Sequence, residues 1–234
     1  MTNNCGVDKG TAFQDDIPAH GYTEFYEPIM IKYYNKHPRI LEVGVMCGDS
    51  LRMWNEYFDY DCDIVGFDLR PELINSKNLA DNIEIIQGDQ MKDLSRISGE
   101  FDIIIDDGLH SINSQFITLY TLYKKCRGIY ILEDLHTNCT DFDIYRVVWN
   151  LPEPQELPNK IRTNTPLYFL NFMINQDPVE FNDTCLTNEQ LRELRDSIQD
   201  ITIHSRAVPD ETGYLQNFGR SVTSIITFKD DGKN

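Results

Sequence analysis

At 234 residues and 41% apolar content, the chain can bury one substantial core, which suits a single domain over residues 1–234 better than two. Its 21 basic and 38 acidic residues leave a formal charge of −17, which repels phosphate backbones and anionic bilayers and argues against nucleic-acid or membrane partners. No apolar run approaches the roughly 20 residues of a spanning helix. The N-terminal MTNNCGVDKGTAFQDD lacks the basic and apolar regions of a signal peptide, so a cytoplasmic protein is expected. Cys5, Cys47, Cys62, Cys126, Cys139 and Cys185 form no CxxC pair, which disfavours a zinc site or a disulfide framework.

Residues 1–38 read as a polar arm leading into a helix from about Thr23, with Thr23 as N-cap and Phe25, Tyr26, Ile29 and Met30 on one face. The alternative is that Lys9, His20, Tyr22 and Tyr26 cover a site, bringing polar tips and aromatic walls to a substrate. From Ile40 an apolar strand runs into Glu42, Val43 and Gly44, a glycine-punctuated turn follows, and Ser50 to Phe58 has helical spacing. Glycines at such a turn let a nucleotide-type ligand approach the backbone. Met46 takes the place of the middle glycine of a dinucleotide turn, so a smaller nucleoside is favoured over a pyrophosphate.

The next strand, Asp63 to Phe67, ends in Asp68, a carboxylate placed to accept from both hydroxyls of a ribose. Pro71 opens a weak helix. The strand Ile83 to Gln87 leads to Gly88-Asp89-Gln90, which could read an adenine edge or be a solvated turn. Phe101 to Ile105 is a strand apolar enough to be covered on both faces, and it delivers Asp106, Asp107, Gly108 and His110 at its C-terminal end. A helix over Ser111 to Lys125 and a strand from Gly128 to Leu132 follow, ending in Glu133-Asp134. Four β-α alternations in order predict a doubly wound, mostly parallel α/β sheet with right-handed crossovers. Asp106 could meet a ligand amine or satisfy the turn.

Beyond Trp149, Pro152, Pro154, Pro158 and Pro166 suggest an irregular insertion or lid over residues 150–186. Thr187 and Gln190 have capping-box spacing for a helix to about Gln199. Strands Ile201 to Val208 and Arg220 to Phe228 are joined by too short a loop for a crossover helix, so they should pair antiparallel.

Taken together, Leu41-Glu42-Val43-Gly44, Ser50 to Trp54, Gly66-Phe67-Asp68, Gly88-Asp89-Gln90, Phe101 to His110 and Ile131 to Asp134 resemble the metal-dependent sugar O-methyltransferases that use S-adenosylmethionine. The group known to us methylates deoxysugar hydroxyls on macrolide antibiotics such as mycinamicin and macrocin. The likeness runs from about Asp8 to Thr137. It implies the class I methyltransferase fold, Rossmann-like, with seven strands, the last of them antiparallel. It also implies Mg²⁺ held by Asp107, Glu133 and Asp134, and His110 as general base. Cofactor contacts are implied around Glu42, Gly44, Ser50 and Asp68, with adenine contacts near Asp89 and Gln90. Leu109 stands where the pattern has a serine. The antibiotic enzymes carry a large additional N-terminal domain, so acceptor size and any homo-oligomer do not transfer.

The residue types suit the chemistry. Methyl transfer from a sulfonium is an in-line displacement governed by alignment, and a sugar hydroxyl is a poor nucleophile that needs a base. A carboxylate-bound divalent cation acidifies the hydroxyl and leaves positions open for substrate oxygens, and His110 could accept the proton. Alternative acceptors are a catechol-like phenol or an antibiotic-core hydroxyl. A catalytically silent binding module is the competing class, disfavoured by the joint presence of Asp107, His110, Glu133 and Asp134.

Overall fold

The computed structural model describes residues 21–74, 79–138, 165–175, 181, 184–206 and 221–229. The apolar runs become strands β1 (Arg39–Val43), β2 (Asp63–Asp68), β3 (Ile83–Gln87), β4 (Phe101–Asp106), β5 (Cys126–Leu132), β6 (Ile198–Arg206) and β7 (Ser221–Phe228). They form one seven-stranded sheet in the order β3-β2-β1-β4-β5-β7-β6. The first five are parallel, and β7 runs antiparallel to both β5 and β6. This is the doubly wound topology expected, with the last strand reversed.

Helices α1 (Thr23–Met30), α2 (Asp49–Tyr57), α3 (Ile112–Leu122), α4 (Pro166–Asn175) and α5 (Asn188–Ser197) cover the sheet. Successive strand residues point to opposite faces, so the sheet carries two cores. On one face Ile40, Ile64, Ile103, Ile105, Ile129 and Ile131 pack with Tyr26, Met30, Leu51 and Trp54 of α1 and α2. On the other, Leu41, Val65, Phe67, Ile104, Tyr130 and Leu132 pack with Phe116, Leu119, Phe169 and Leu194 of α3, α4 and α5. Ile103, Ile104 and Ile105 of β4 are all fully buried, as a strand covered on both sides requires. The edge strand β3 is only half-buried and turns Glu84 to solvent, a charge that discourages further strand pairing.

Three sequence expectations change. Thr23 is the first residue of α1, not its cap; Tyr22 holds the N-cap position without a capping side-chain bond. Pro71 starts only a 3-10 turn, Pro71–Leu73. Pro166, read as a breaker, instead opens α4, where its missing N–H costs nothing. Thr165 Oγ1 caps that helix by accepting from Tyr168 N–H at 3.2 Å, and Leu167, Phe169 and Leu170 are buried. Within the expected insertion, Thr165 to Leu170 thus packs into the core; residues 150–164, 176–180 and 182–183 lie outside the described residues. The capping box of α5 forms as expected: Gln190 N–H donates to Thr187 Oγ1 at 3.2 Å and Thr187 N–H to Gln190 Oε1 at 2.8 Å.

Candidate active site

Because β1 to β5 are parallel, their C-terminal ends open on one side. The order reverses between β1 and β4, where such sheets bind ligands. A cavity of about 610 Å³ lies there, walled by Gly44, Ser50, Asp68, Asp89, Asp107 and His110 among others.

The floor is set by a close backbone crossing. Gly44 has φ +84°, and a Cβ on it would stand 2.1 Å from the carbonyl oxygen of Asp107. Its N–H donates to Phe67 O at 2.8 Å, while Asp107 N–H donates to Val43 O at 2.9 Å. The ends of β1, β2 and β4 are thereby fastened together, with glycine needed at the crossing. Asp68 Oδ2 accepts from the N–H groups of Val45 and Met46 at 2.9 and 3.0 Å, and its Oδ1 accepts from Arg70 N–H at 2.7 Å. The carboxylate shapes the turn after β1 as well as facing the cavity. Met46 itself is held at φ +45°, unusual for a residue with a side chain.

Asp107, His110 and Asp134 form the chemical centre. One ligand-type atom from each lies within 4.8 Å of the others. His110 Nε2 is 3.6 Å from Asp107 Oδ1 and 3.4 Å from Asp134 Oδ2. The three side chains are 28%, 21% and 16% exposed, so they are reachable from the cavity yet mostly enclosed. His110 and Asp134 both adopt left-handed φ, +55° and +54°. Strain of this kind at about 1–3 kcal/mol per residue persists where surrounding contacts enforce it and is concentrated at functional sites. Here Thr137 is one enforcer: its Oγ1 lies 3.0 Å from the carbonyl oxygens of both His110 and Asp134. The two carboxylates suit a hard divalent cation, which takes oxygen ligands, and the imidazole beside them is placed to exchange a proton.

The neighbouring carboxylates are deeper. Glu133 is buried close to the Tyr26 phenol. Tyr22 donates to Asp134 Oδ1 at 2.6 Å. Burial, reinforced by Asp134 for Tyr22 and Glu133 for Tyr26, pushes both phenols well above their ordinary range, so they remain donors. Tyr26, expected as a wall of the substrate site, is fully buried against Trp54 and is not among the residues lining the cavity. Lys9 and His20 lie outside the described residues.

Three expected cofactor contacts serve the scaffold in this structure. Glu42 is fully buried and accepts from Trp54 Nε1 at 3.2 Å. The amide of Gln90 reaches the cavity wall but is committed: Nε2 donates to Asp106 Oδ1 and Thr118 Oγ1, and Oε1 accepts from Leu109 N–H. Asp106 faces the α3 side, with Tyr130 donating to its Oδ2 at 3.3 Å. Burial, together with the charge of Asp107, pushes its carboxyl up to about 8. Asp89 is a surface turn residue that accepts from Met91 N–H and Lys92 Nζ, and this Lys92 pairing holds its carboxyl below the usual range.

Sequence patterns gave no sign of a buried polar chain behind the centre. Leu167 N–H donates to Asn138 Oδ1 at 3.0 Å, Asn138 Nδ2 to Gln115 Oε1 at 2.9 Å, and Gln115 Nε2 to Glu133 O at 3.1 Å. It ties the start of α4 to the end of β5. Only the side-chain amides Gln115 and Asn138 near apolar positions could have hinted at it.

The architecture is the class I S-adenosylmethionine methyltransferase fold. MycE, a methyltransferase of mycinamycin biosynthesis solved in complex with Mg, SAH and mycinamycin VI, superposes with a TM-score of 0.58 at 23% identity, over 91% of this chain and 50% of that one. No family model matches the chain. Among curated proteins, mycinamicin VI 2''-O-methyltransferase of Micromonospora griseorubida is 36% identical over 135 residues, covering 50% of this chain and 32% of its own length. Demethylmacrocin O-methyltransferase of Streptomyces fradiae is 32% identical over 132 residues, with the same coverage of 50% and 32%. The chain thus resembles named sugar O-methyltransferases over half its length, and spans about a third of the curated relatives it matches.

Proposed function

We propose that the chain is an S-adenosylmethionine-dependent O-methyltransferase acting on a hydroxyl of a sugar or glycosylated small molecule, with Mg²⁺ as its metal. The observation that carries the proposal is the convergence of Asp107, His110 and Asp134 at the mouth of a cavity bounded on its other side by the glycine turn and Asp68. The cofactor is assigned to Gly44, Ser50, Asp68 and Asp89, with the carboxylate of Asp68 offering its remaining lone pairs to the ribose. Gln90 lines the same wall, and the buried Glu42 and Asp106 support it from behind.

Asp107 and Asp134 would hold the cation with Glu133 beside them. Bound there, it would lower the pKa of an acceptor hydroxyl and neutralise its developing charge. His110 Nε2 faces the same point and takes the proton, while the walls of the cavity align acceptor oxygen and methyl donor. Three of the exposed large apolar side chains, Met46, Leu69 and Leu109, line this cavity. Such a rim suits a sugar carried on an apolar molecule better than a free sugar.

Calorimetry of S-adenosylmethionine binding, with Mg²⁺ and with EDTA, tests the proposal. Binding that survives EDTA but weakens in Asp68→Ala, together with an independent Mg²⁺ site, is the expected result. No cofactor binding in any condition would remove the methyltransferase assignment.

A further inference from the structure

Helix α1 brings two phenols, one turn apart, to two consecutive carboxylates. Tyr22 donates to Asp134 Oδ1 at 2.6 Å, and Asp134 N–H donates back to the Tyr22 hydroxyl oxygen at 3.3 Å. Tyr26 lies buried beside the charge of Glu133 and shares a 3.1 Å hydrogen bond with Thr223, whose Oγ1 donates to Leu132 O at 3.1 Å. The rings stack with centroids 5.8 Å apart, and both residues are almost completely buried. Consecutive residues of a strand point to opposite faces, so one helix would ordinarily reach only one of the pair. The left-handed turn at Asp134 changes that direction, and both carboxylates come within reach of the same helix.

A carboxylate with one oxygen held by a phenol has its other oxygen fixed in direction. Asp134 shows this: Oδ1 meets Tyr22, and Oδ2 lies 3.4 Å from His110 Nε2. We propose that Tyr22 is a positioning residue of the cation site, setting the orientation of Asp134 and hence the affinity of the site and its preference for a small cation. The proposal rests on the metal assignment made above. It assigns Tyr22 to the metal side of the site instead of to substrate contact. Partners behind the ligands typically contribute 10–100-fold to metal affinity. Mg²⁺ demands tighter geometry than Ca²⁺, so loosened carboxylates should lose Mg²⁺ more than Ca²⁺.

Tyr22→Phe and Tyr26→Phe keep the ring packing and delete only the hydroxyl. Mn²⁺ binding to the full chain would be followed by the electron paramagnetic resonance signal of the free ion, with Mg²⁺ and Ca²⁺ as competitors. Mn²⁺ affinity should fall about 10-fold or more in Tyr22→Phe, with a reduced Mg²⁺ over Ca²⁺ preference and unchanged S-adenosylhomocysteine binding in EDTA. Tyr26→Phe, whose lost hydroxyl bonds Thr223, is the comparison, and affinity within twofold of the parent in Tyr22→Phe overturns the inference. In an Asp134→Asn background Tyr22→Phe should cost nothing further; an equal loss in both backgrounds points to general destabilisation and also overturns it. A parent chain that binds no Mn²⁺ refutes the metal assignment itself, and the inference with it.

Discussion

Replacing Gly44 with alanine puts a methyl group where the backbone of another strand already runs. The new carbon would stand 2.1 Å from Asp107 O and 2.7 Å from both Asp107 C and Gly108 Cα. Non-bonded carbons settle at about 3.5 Å, so the segment carrying Asp107 must retreat by roughly 1 Å. The left-handed φ of +84° adds the strain of a side chain, about 1–2 kcal/mol. Overpacking of a tight site adds about 1–3 kcal/mol, for a total of about 2–5 kcal/mol. Gly48 is the control: its φ is +78°, but the nearest obstacle is the Ile74 Cγ2 methyl at 3.1 Å, which can move. Gly48→Ala should therefore cost only the strain, about 1–2 kcal/mol. Urea unfolding of both variants measures the difference. Displacing Asp107 by 1 Å should also reduce turnover on the order of 100-fold. Equal stability of the two alanine variants would show that the crossing of β1 and β4 is not rigid and would refute the reasoning.

His110→Ala should lower turnover by about 10²–10⁴-fold, the usual contribution of a general base, while cofactor affinity measured by calorimetry stays within a few fold; near-normal turnover would remove the base assignment. Asp68→Asn should weaken cofactor binding and leave Mn²⁺ affinity unchanged, and a loss of both would mean that the two sites are not separable. Glu193 accepts from Lys124, Tyr120 and Tyr123, and these bonds hold its carboxyl down to about 2 from 4.5. A depressed acid stabilises the fold above its unfolded pKa and loses that contribution as pH falls through its folded value. The urea midpoint of the parent should thus fall further between pH 5 and pH 2.5 than that of Glu193→Gln; identical slopes would contradict the assignment.

The central strand β4 could be read from sequence because a strand covered on both faces must be apolar along its length, and Ile103-Ile104-Ile105 admits few other readings. The polar ends of β4 and β5 followed, and Asp107, His110 and Asp134 do converge. What local pattern could not supply was direction. Gln90 and Asp106 carry the right groups for a ligand but spend them on each other across 16 residues of sequence. Tyr26 has the aromatic character of a binding wall, yet the helix face it occupies is the one turned to the sheet. Pro166 was ambiguous for a different reason: proline ends helices and also begins them, and the distinction lay in Thr165 before it and the apolar Leu167, Phe169 and Leu170 after it.

The hydrogen bond between Leu167 N–H and Asn138 Oδ1 joins two points 29 residues apart in sequence and links them through Gln115 to the end of β5. Both ends of the intervening stretch are thus anchored to the sheet whatever lies between them. Closing a longer connection between fixed ends costs only about 0.6 kcal/mol per doubling of length. This junction is consequently a permissive splice point, where the length of chain between its two ends can change while the end of β5 and the start of α4 stay in place.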